Sequence, residues 1–337
     1  MTPTMTASYR ATTNADWPAI AAVMNAAGTA DGIDEVRSPE SLASEMSILD
    51  IGRDGLVAEA EGRVIAFGFG YLLERDGVLV AELMGDVDPA HRRTGVGTEL
   101  FERNLARLRV ELAADPRTLP RELRVFALDA ELGDLALFSA QGFVPIRFGY
   151  EMRRYLTGSL PRHDLPLGLE LRPVTPDLHR RIFDADNEAF LDHWGHREKT
   201  DTDFVARFDN PETDPSLWCV AWDGDEVAGV VMNGIFADEN EQLGIRRGWL
   251  EHVSVRRPWR GRGLAKALCS ESFRVLREHG MDEAWLGVDG SNPTGAVRLY
   301  EGLGFHVVRG WKAYGRPVDE PAPEGWRSAA GRATMEA

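Results

Sequence analysis

Segments with two different spacings of hydrophobic residues alternate along the chain, and together they predict a protein built from helices and strands. Trp17, Ile20 and Val23 follow helical spacing, whereas residues 64–71 alternate with the period of two that is typical of a strand. Up to residue 152 the pattern predicts helices at 15–27 and 39–48, a helix ending near 112 and another at 134–140, with strands at 56–60, 64–71, 78–87, 123–128 and 143–152. Beyond that it predicts helices at 176–191, 263–279 and 293–303, with strands at 217–222, 226–235, 248–255, 284–288 and 305–314. This order predicts an α/β fold of the α+β type, with a mixed sheet flanked by helices.

The order of elements occurs twice, and local motifs recur at nearly constant distances. Arg92 and Arg260 lie in similar arginine-glycine turns and are 168 positions apart (260 minus 92). The Gly-Phe pairs ending at Phe143 and Phe305 are 162 positions apart (305 minus 143). Such offsets indicate the duplication of a whole domain. They predict an N-terminal domain at 1–158, a proline-containing linker at 159–168, a C-terminal domain at 169–317 and a flexible tail at 318–337.

Composition narrows the class of protein. The 337 residues suffice for two domains, and 43% hydrophobic with 27% charged residues is typical of a globular protein. There are 54 acidic and 38 basic residues, and the net charge of −16 argues against non-specific binding to nucleic acid or an anionic membrane. Cys219 and Cys269 lie in apolar segments and are expected to be buried thiols of a reducing compartment. With no apolar signal core and no run long enough to span a bilayer, we expect a cytoplasmic protein.

The turn at 260–265, Arg-Gly-Arg-Gly-Leu-Ala, joins a predicted strand to a predicted helix and has the features of a phosphate site. Glycines let the backbone approach a ligand, and the first amides of a helix attract anions. Arg256, Arg257, Arg260 and Arg262 add four cations. The alternative is a helix cap with solvated arginines. A dinucleotide-binding turn is disfavoured, because Lys266 stands where its third glycine belongs, and no P-loop string occurs.

Arg260, Gly263 and Ala265 resemble the acyl-CoA binding motif of the GNAT acetyltransferase superfamily, in which Arg or Gln, Gly, and Gly or Ala recur at this spacing. Arg92 and Gly95 open a second copy of the motif, and the tandem arrangement is similar to that of two-domain members. The resemblance implies two GNAT domains that use acetyl-CoA as co-substrate. In the C-terminal domain it implies CoA contacts by Val253, Val255, Arg260, Gly261, Arg262, Gly263, Leu264, Ala265 and Asn292. In the N-terminal domain the corresponding residues are Val87, Arg92, Arg93, Thr94, Gly95, Val96 and Gly97.

Acetyl transfer to an amine needs a group that takes the amine's proton and a group that protonates the departing thiolate. The resemblance implies Tyr300 as the acid, and the alternative is a core aromatic residue one turn from Leu303. Glu251 corresponds to a strand carboxylate that family members use as base, directly or through water; alternatively it faces solvent or pairs with an arginine. His252 is the competitor, but strand alternation predicts that it points to the opposite face from Glu251.

The first repeat departs from this pattern. It has Phe138 at the place of Tyr300 and Leu83 at the place of Glu251, and it lacks a clear counterpart of Asn292. Phenylalanine cannot donate a proton. We therefore expect the N-terminal domain to be weak or silent in catalysis, while its complete turn leaves CoA binding open.

The acceptor side is expected near residues 188–196 and the loop before the predicted catalytic strand. His193, Trp194 and Glu239 form an aromatic and acidic set that suits a small-molecule amine. His193 and His196 also raise a metal site, but no further ligand accompanies them, so no metal is predicted. The sequence thus predicts an N-acetyltransferase with an active C-terminal domain. The alternatives are a CoA-binding sensor or scaffold without turnover, and an acetyltransferase for protein or peptide amines.

Overall fold

The structure of the protein is a computed structural model, and it describes residues 7–47, 49–75, 77–191, 193–194, 198–291, 295–323 and 325–329. The chain forms two compact units. Unit 1 comprises Met1–Arg147 with Trp311–Ala337, and unit 2 comprises Phe148–Gly310. Each unit contains a mixed sheet with helices, which confirms the predicted fold class.

The helices and strands of the first repeat lie close to their predicted positions. Its helices are α1 (Trp17–Ala30), α2 (Pro39–Glu45), α3 (Ile51–Asp54), α4 (Val96–Ala114) and α5 (Leu132–Ala140). Its strands are β1 (Ser8–Ala11), β2 (Gly55–Ala60), β3 (Arg63–Arg75), β4 (Val78–Val87), β5 (Arg121–Leu128) and β6 (Val144–Tyr155). The predicted helix at 39–48 is shorter in the structure. It begins where the Ser38 side chain accepts a hydrogen bond from the amide of Ser41, as expected for an N-cap serine before a proline.

The second repeat follows the same plan. Its helices are α6 (His179–Ala189), α7 (Asp201–Asp209), α8 (Ala237–Leu243), α9 (Leu264–Glu278) and α10 (Ala296–Gly302). Its strands are β7 (Glu170–Leu171), β8 (Cys219–Asp223), β9 (Glu226–Gly234), β10 (Arg247–Val255), β11 (Glu283–Asp289) and β12 (His306–Pro317). The sequence analysis did not predict α7, although its start carries a capping box in which Thr200 and Asp203 bond each other's backbone amides.

The two sheets have the same topology. In unit 1 the strand order is β1-β2-β3-β4-β5-β12, and in unit 2 it is β7-β8-β9-β10-β11-β6. In each sheet the fourth and fifth strands pair parallel and the other neighbours pair antiparallel. The repeat seen in the sequence is therefore a repeat of the sheet topology.

Each unit takes its closing strand from the other repeat. In unit 1, β12 pairs with β5, with Tyr314 opposite Val125. In unit 2, β6 pairs with β11, with Met152 opposite Leu286. The compact units therefore differ from the predicted domains at 1–158 and 169–317. Hydrophobic alternation identifies a strand but does not specify the strand with which it pairs.

The predicted linker and tail both make ordered contacts. Within unit 2, Leu160 and Leu165 of the linker pack against the core, and His163 Nδ1 lies 2.9 Å from Ser270 Oγ. Within unit 1, the Ser328 hydroxyl donates to the Glu122 carboxylate at 2.8 Å, and the Ala322 amide bonds Gly142 O. The described part of the tail is therefore held against unit 1, in contrast to the flexible tail that its composition predicts.

Apolar packing in unit 2 surrounds the strand that enters the glycine turn. Leu250 of β10, Leu264 and Leu268 of α9 and Tyr300 of α10 share one buried cluster. Cys269 lies in the same cluster and Cys219 is also a buried free thiol, as predicted. Within the described ranges, no helix is both long and apolar enough to cross a bilayer, and three or more potential metal ligands do not converge.

Candidate active site

Strand β10 contains a β-bulge at Glu251. Leu250 lies opposite Asn233 of β9, and His252 lies opposite the preceding residue, Met232, so Glu251 is the extra residue. In unit 1 the equivalent pairing of β4 with β3 runs through Leu83 without interruption. Counted along the strands, Leu83 matches Leu250, and Glu251 has no counterpart. This corrects the sequence alignment, which set Leu83 against Glu251.

The bulge brings Glu251 and His252 to the same cation. One guanidinium nitrogen of Arg207, on α7, lies 3.3 Å from Glu251 Oε2, and the other lies 3.3 Å from His252 Nε2. The prediction that the two side chains point to opposite faces is therefore wrong, because an inserted residue breaks the alternation of a regular strand. The Glu251 side chain is 31% exposed, and its arginine partner was one of the alternatives drawn from the sequence.

His252 is held from its other side by a buried carboxylate on α6. Its Nδ1 lies 2.9 Å from Asp186 Oδ2, and the Lys199 ammonium also donates to that oxygen at 2.9 Å. Asp186 is fully buried. Burial by itself raises the pKa of this carboxyl, but the charges and hydrogen bonds of His252 and Lys199 outweigh it and hold the pKa below its ordinary value. Asp186 is therefore ionised at neutral pH.

The last part of β10 separates from its parallel neighbour. β10 pairs with β11 only over Arg247–Trp249, whereas its pairing with β9 continues to Val255. The backbone of Val253 and Val255 therefore has no β11 partner on that side. The separated segment leads directly into the glycine turn.

The backbone of the glycine turn of unit 2 is open at both of its glycines. Gly261 and Gly263 have φ of +74° and +86°, and a Cβ on either would meet nothing within 4 Å. Gly263 is the N-cap of α9, so the first amides of that helix face the turn. Arg260 donates to Val255 O and Ala189 O, both at 2.9 Å. Its side chain thus fixes the shape of the turn, and the amides remain the groups best placed to meet a phosphate.

The predicted cluster of four cations is only partly directed at the turn. Arg256 donates to the carboxylates of Glu188 at 2.9 Å and Glu226 at 3.2 Å. Arg262 is exposed. Because Arg256 is held by two acidic partners, the local positive charge is smaller than the sequence alone indicates.

Unit 1 builds the same turn with the same arginine contacts. Arg92 donates to Val87 O at 3.4 Å and to Ala27 O at 3.3 Å, and it also forms a bidentate pair with Asp31 at 2.7 Å. Arg93 takes the left-handed conformation that Gly261 has in unit 2, with φ of +64°.

Beside the unit 1 turn lies a cavity of about 690 Å³, lined among others by Arg92, Arg93, Gly95, Gly97 and Phe138. The cavity also contains two carboxyl groups. Burial, followed by neighbouring acidic residues, raises the pKa of Asp86 to about 8 and that of Asp134 to about 7. These groups are thus partly protonated near neutral pH.

Tyr300 and Phe138 occupy matching places in the two units. Tyr300 packs edge-on against Phe305 with ring centroids 5.8 Å apart, and Phe138 lies 6.0 Å from Phe143. Tyr300 is 8% exposed and belongs to the core cluster. Burial raises the pKa of its phenol, so it carries its proton at neutral pH. Asn292, the predicted pantetheine contact, lies outside the described residues.

The predicted acceptor residues separate into two groups. His193 follows α6, and its ring lies 4.4 Å from that of Phe190, which in turn lies 5.1 Å from His252. Trp194 is the next residue and is half-buried. Glu239 is buried in the first turn of α8 rather than in a loop. His193 is therefore linked to His252 through Phe190, whereas Glu239 belongs to a helix that the sequence analysis did not predict.

Sequence reasoning missed Asp186, Lys199 and Arg207. The sequence could have indicated Asp186, since it lies with Ile182, Phe183 and Ala189 on the buried side of an amphipathic helix. A carboxylate at such a position needs a partner. No sequence pattern indicated Arg207 or Lys199, because the contacts that bring them close to His252 depend on the tertiary fold.

Known proteins match this chain in sequence over most of its length. Residues 179–305 match the acetyltransferase (GNAT) family. The chain is 32% identical to a mycothiol acetyltransferase of Geodermatophilus obscurus over 297 residues, which are 86% of this chain and 91% of the relative. It is 32% identical over 304 residues to a mycothiol acetyltransferase of Salinispora arenicola, covering 86% and 91%.

Solved structures show the same architecture. A GCN5-related N-acetyltransferase from Sphaerobacter thermophilus superposes with a TM-score of 0.71 at 28% identity, covering 96% of this chain and 98% of that one. A tandem GNAT protein from the clavulanic acid biosynthesis pathway has the same fold, with a TM-score of 0.67 at 15% identity and coverage of 94% and 99%. The chain belongs to the GNAT acetyltransferase family. It is a tandem member of that family and an N-acetyltransferase.

Proposed function

We propose that unit 2 transfers the acetyl group of acetyl-CoA to a primary amine of a small molecule. One observation carries the proposal: the bulge places Glu251 and His252 on the segment of β10 that has left β11 and leads into the glycine turn. An amine bound at this segment would lie next to groups able to take its proton.

The site fits acetyl-CoA as co-substrate. Backbone amides of Gly261, Arg262, Gly263, Leu264 and Ala265 would receive the pyrophosphate, because their backbone is open and begins a helix. The side of β10 that has separated from β11 at Val253 and Val255 would bond the pantetheine amides, with Asn292 as a further contact. Arg260 would act by fixing the turn. Bound in this way, acetyl-CoA supplies an activated acetyl group.

The chain's own groups then have separate tasks. A base at Glu251 or His252 takes a proton from the amine, which frees the nitrogen lone pair for attack. Tyr300, whose phenol carries its proton at neutral pH, protonates the departing thiolate. Orientation of the two substrates contributes much of the remaining acceleration.

For the acceptor, we propose a small amine. The relatives are called mycothiol acetyltransferases, and the tandem architecture resembles mycothiol synthase, so the amine which those enzymes acetylate is the first to test. His193 and Trp194, after α6, would line the acceptor side.

For unit 1, we propose CoA binding without turnover, through Val87 and the turn from Arg92 to Gly97 (Arg92, Arg93, Thr94, Gly95, Val96 and Gly97). The turn has the same arginine contacts as that of unit 2. Phe138 supplies no proton, and the strand leading into the turn has no bulged glutamate.

The test is release of free CoA thiol from acetyl-CoA in the presence of a panel of amines, including amino sugars, cysteinyl compounds, peptide amines and antibiotics. We expect turnover with a small primary amine, and an acetylated product by mass spectrometry. Saturable acetyl-CoA binding without turnover on any amine would favour a CoA sensor. Turnover on peptides alone would favour the protein acetyltransferase alternative.

A further inference from the structure

We propose that His252 is the base that takes the proton from the acceptor amine, and that Asp186 is the buried positioning residue that holds it in the basic tautomer. The inference deepens the proposed function of unit 2 and rests on it. It assigns the proton acceptor to the histidine rather than to Glu251.

Both neighbours of the imidazole select the same tautomer. Asp186 is ionised and can only accept, so the His252 Nδ1 at 2.9 Å must carry the hydrogen and donate it. Arg207 can only donate, so the Nε2 at 3.3 Å from its guanidinium must present a lone pair. A neutral histidine with Nδ1–H bonded to a carboxylate and Nε2 free to accept has the form that a general base requires.

The first repeat shows that the fold does not need this pair. The arginine contacts provide matching reference points, since Arg92 bonds Ala27 O and Val87 O while Arg260 bonds Ala189 O and Val255 O.

Asp186 stands three residues before Ala189, and His252 three before Val255. At the corresponding positions of unit 1 stand Met24 and Met84, and both pack against the apolar core. Two methionines thus stand in unit 1 where unit 2 has the buried carboxylate of Asp186 and the imidazole that donates to it. A buried carboxylate costs desolvation that an apolar pair avoids, which favours a functional rather than a structural reason for it.

The position of Arg207 indicates where the acceptor binds. Its guanidinium lies between Glu251 Oε2 and His252 Nε2, at 3.3 Å from each. A primary ammonium group carries the same charge and, like the guanidinium, only donates hydrogen bonds, so it can take the place of the guanidinium beside these two atoms. Glu251 would then hold the ammonium by charge, and His252 Nε2 would receive its proton.

The protons balance in the following way. The ammonium gives one proton to His252 Nε2, which later releases it to solvent. The freed nitrogen lone pair forms the bond to the acetyl carbon, and the carbon–sulfur bond breaks with its electron pair on sulfur. Tyr300 gives its proton to that sulfur and regains one from the new amide nitrogen, so that one proton is released overall for each ammonium acetylated.

The experiment compares His252→Gln with Glu251→Gln in the full-length protein, using the best amine of the panel. We expect His252→Gln to lower kcat by about 100-fold, as loss of a general base does, while the Kd for acetyl-CoA stays within twofold. Glu251→Gln should mainly raise KM for the amine. We assign the fall of kcat/KM at low pH, the acid limb, to His252, whose charged neighbours are Asp186, Lys199, Arg207 and Glu251. The acid limb should disappear in His252→Gln and remain in Glu251→Gln.

A second variant keeps the test independent of folding. The double substitution Asp186→Met with His252→Met copies the pair found in unit 1 and should fold, bind acetyl-CoA and lack turnover. Asp186→Asn should lower kcat and shift the acid limb, because an amide no longer fixes Nδ1–H. Full activity of folded His252→Gln, or a lost acid limb in Glu251→Gln alone, would overturn the inference. An inactive wild-type protein would instead contradict the proposed function itself.

Discussion

The two units share a scaffold and differ in the side chains that the scaffold presents. In both, an arginine after the fourth strand ties the strand's last carbonyl to the C-terminal end of the first long helix, through Arg92 in unit 1 and Arg260 in unit 2. The side chains near these arginine contacts differ between the units. Unit 2 has Asp186 and His252 where unit 1 has Met24 and Met84.

The difference separates what the fold requires from what the chemistry requires. Features found in both units, such as the left-handed turn and the parallel strand pair, belong to the fold. Features found only in unit 2, such as the Glu251 bulge and the Tyr300 hydroxyl, are not needed to build the sheet. They are the candidates for function, and the predictions below exchange features between the units.

The largest effect is expected when Tyr300 is given the side chain of its unit 1 counterpart. Tyr300→Phe removes only a hydroxyl, so the core packing against Phe305 is retained. Turnover should fall by about 100-fold, because the leaving thiolate loses its acid. Steady-state kinetics and acetyl-CoA titration measure this, and the Kd should be unchanged.

Phe138→Leu is the matched control in unit 1. It alters the corresponding core position, and turnover should stay within a factor of about two apart from any loss of folded protein. If Tyr300→Phe left kcat unchanged, the phenol would be a core residue only, and the two units would not differ at this position in function.

A smaller effect is expected when the shared arginines are removed. Arg260→Met loses two charge-assisted hydrogen bonds to carbonyls, each of which contributes about 2 kcal/mol, so the turn should shift. Acetyl-CoA binding to unit 2 should weaken by about tenfold, which corresponds to 1.4 kcal/mol.

Arg92→Met makes the same change in unit 1 and additionally leaves Asp31 without its bidentate partner. It should lower the thermal stability of the protein without lowering kcat at saturating acetyl-CoA. Equal losses of kcat in both variants would show that turnover depends on both units.

Local patterns along the chain predicted the fold class and the turn, because each depends on the spacing of residues within one short segment. The repeat followed from finding the same local motifs twice, at nearly constant distances. The predicted strand at 248–255 and helix at 263–279 agree with β10 and α9 to within a residue at each end. The family resemblance rested on the same local motif and is confirmed by the comparisons.

Non-local features could not be read from those patterns. The exchange of β6 and β12 depends on strand pairing across more than a hundred residues. The bulge at Glu251 is visible only against the register of β9, and it reversed the expected side of His252. Arg207 lies 45 positions from His252 and reaches it only through the fold.

A modest effect is expected from the left-handed residue of the turn. Gly261→Ala should destabilise unit 2 by about 1 kcal/mol, because φ of +74° strains an L-residue while its Cβ meets no neighbour. Arg93→Gly should stabilise unit 1, because glycine adopts the left-handed conformation without strain. The gain in stability should be smaller, since glycine also increases the conformational entropy of the unfolded chain. Hydrogen exchange of the amides in α9 and α4 measures each unit separately. Stabilisation by Gly261→Ala would contradict the structural equivalence of the two turns.

The smallest effect on turnover is expected from the buried carboxyl groups of unit 1, which should instead change the pH dependence of its stability. The folded pKa of Asp86 is raised to about 8, so the folded state holds a proton that the unfolded chain releases near its ordinary value. Stability from this residue is complete below about pH 4 and is lost as pH rises through 8. The side chain of Asp86→Asn is neutral at every pH, so the unfolding temperature of this variant should rise relative to wild type as the pH increases from 5 to 8. Asp134→Asn should act in the same direction, with its change centred near pH 7. If the unfolding temperatures of Asp86→Asn and wild type changed with pH in the same way, the Asp86 carboxyl would be solvated. The unit 1 cavity would then be open to charged ligands at all pH values.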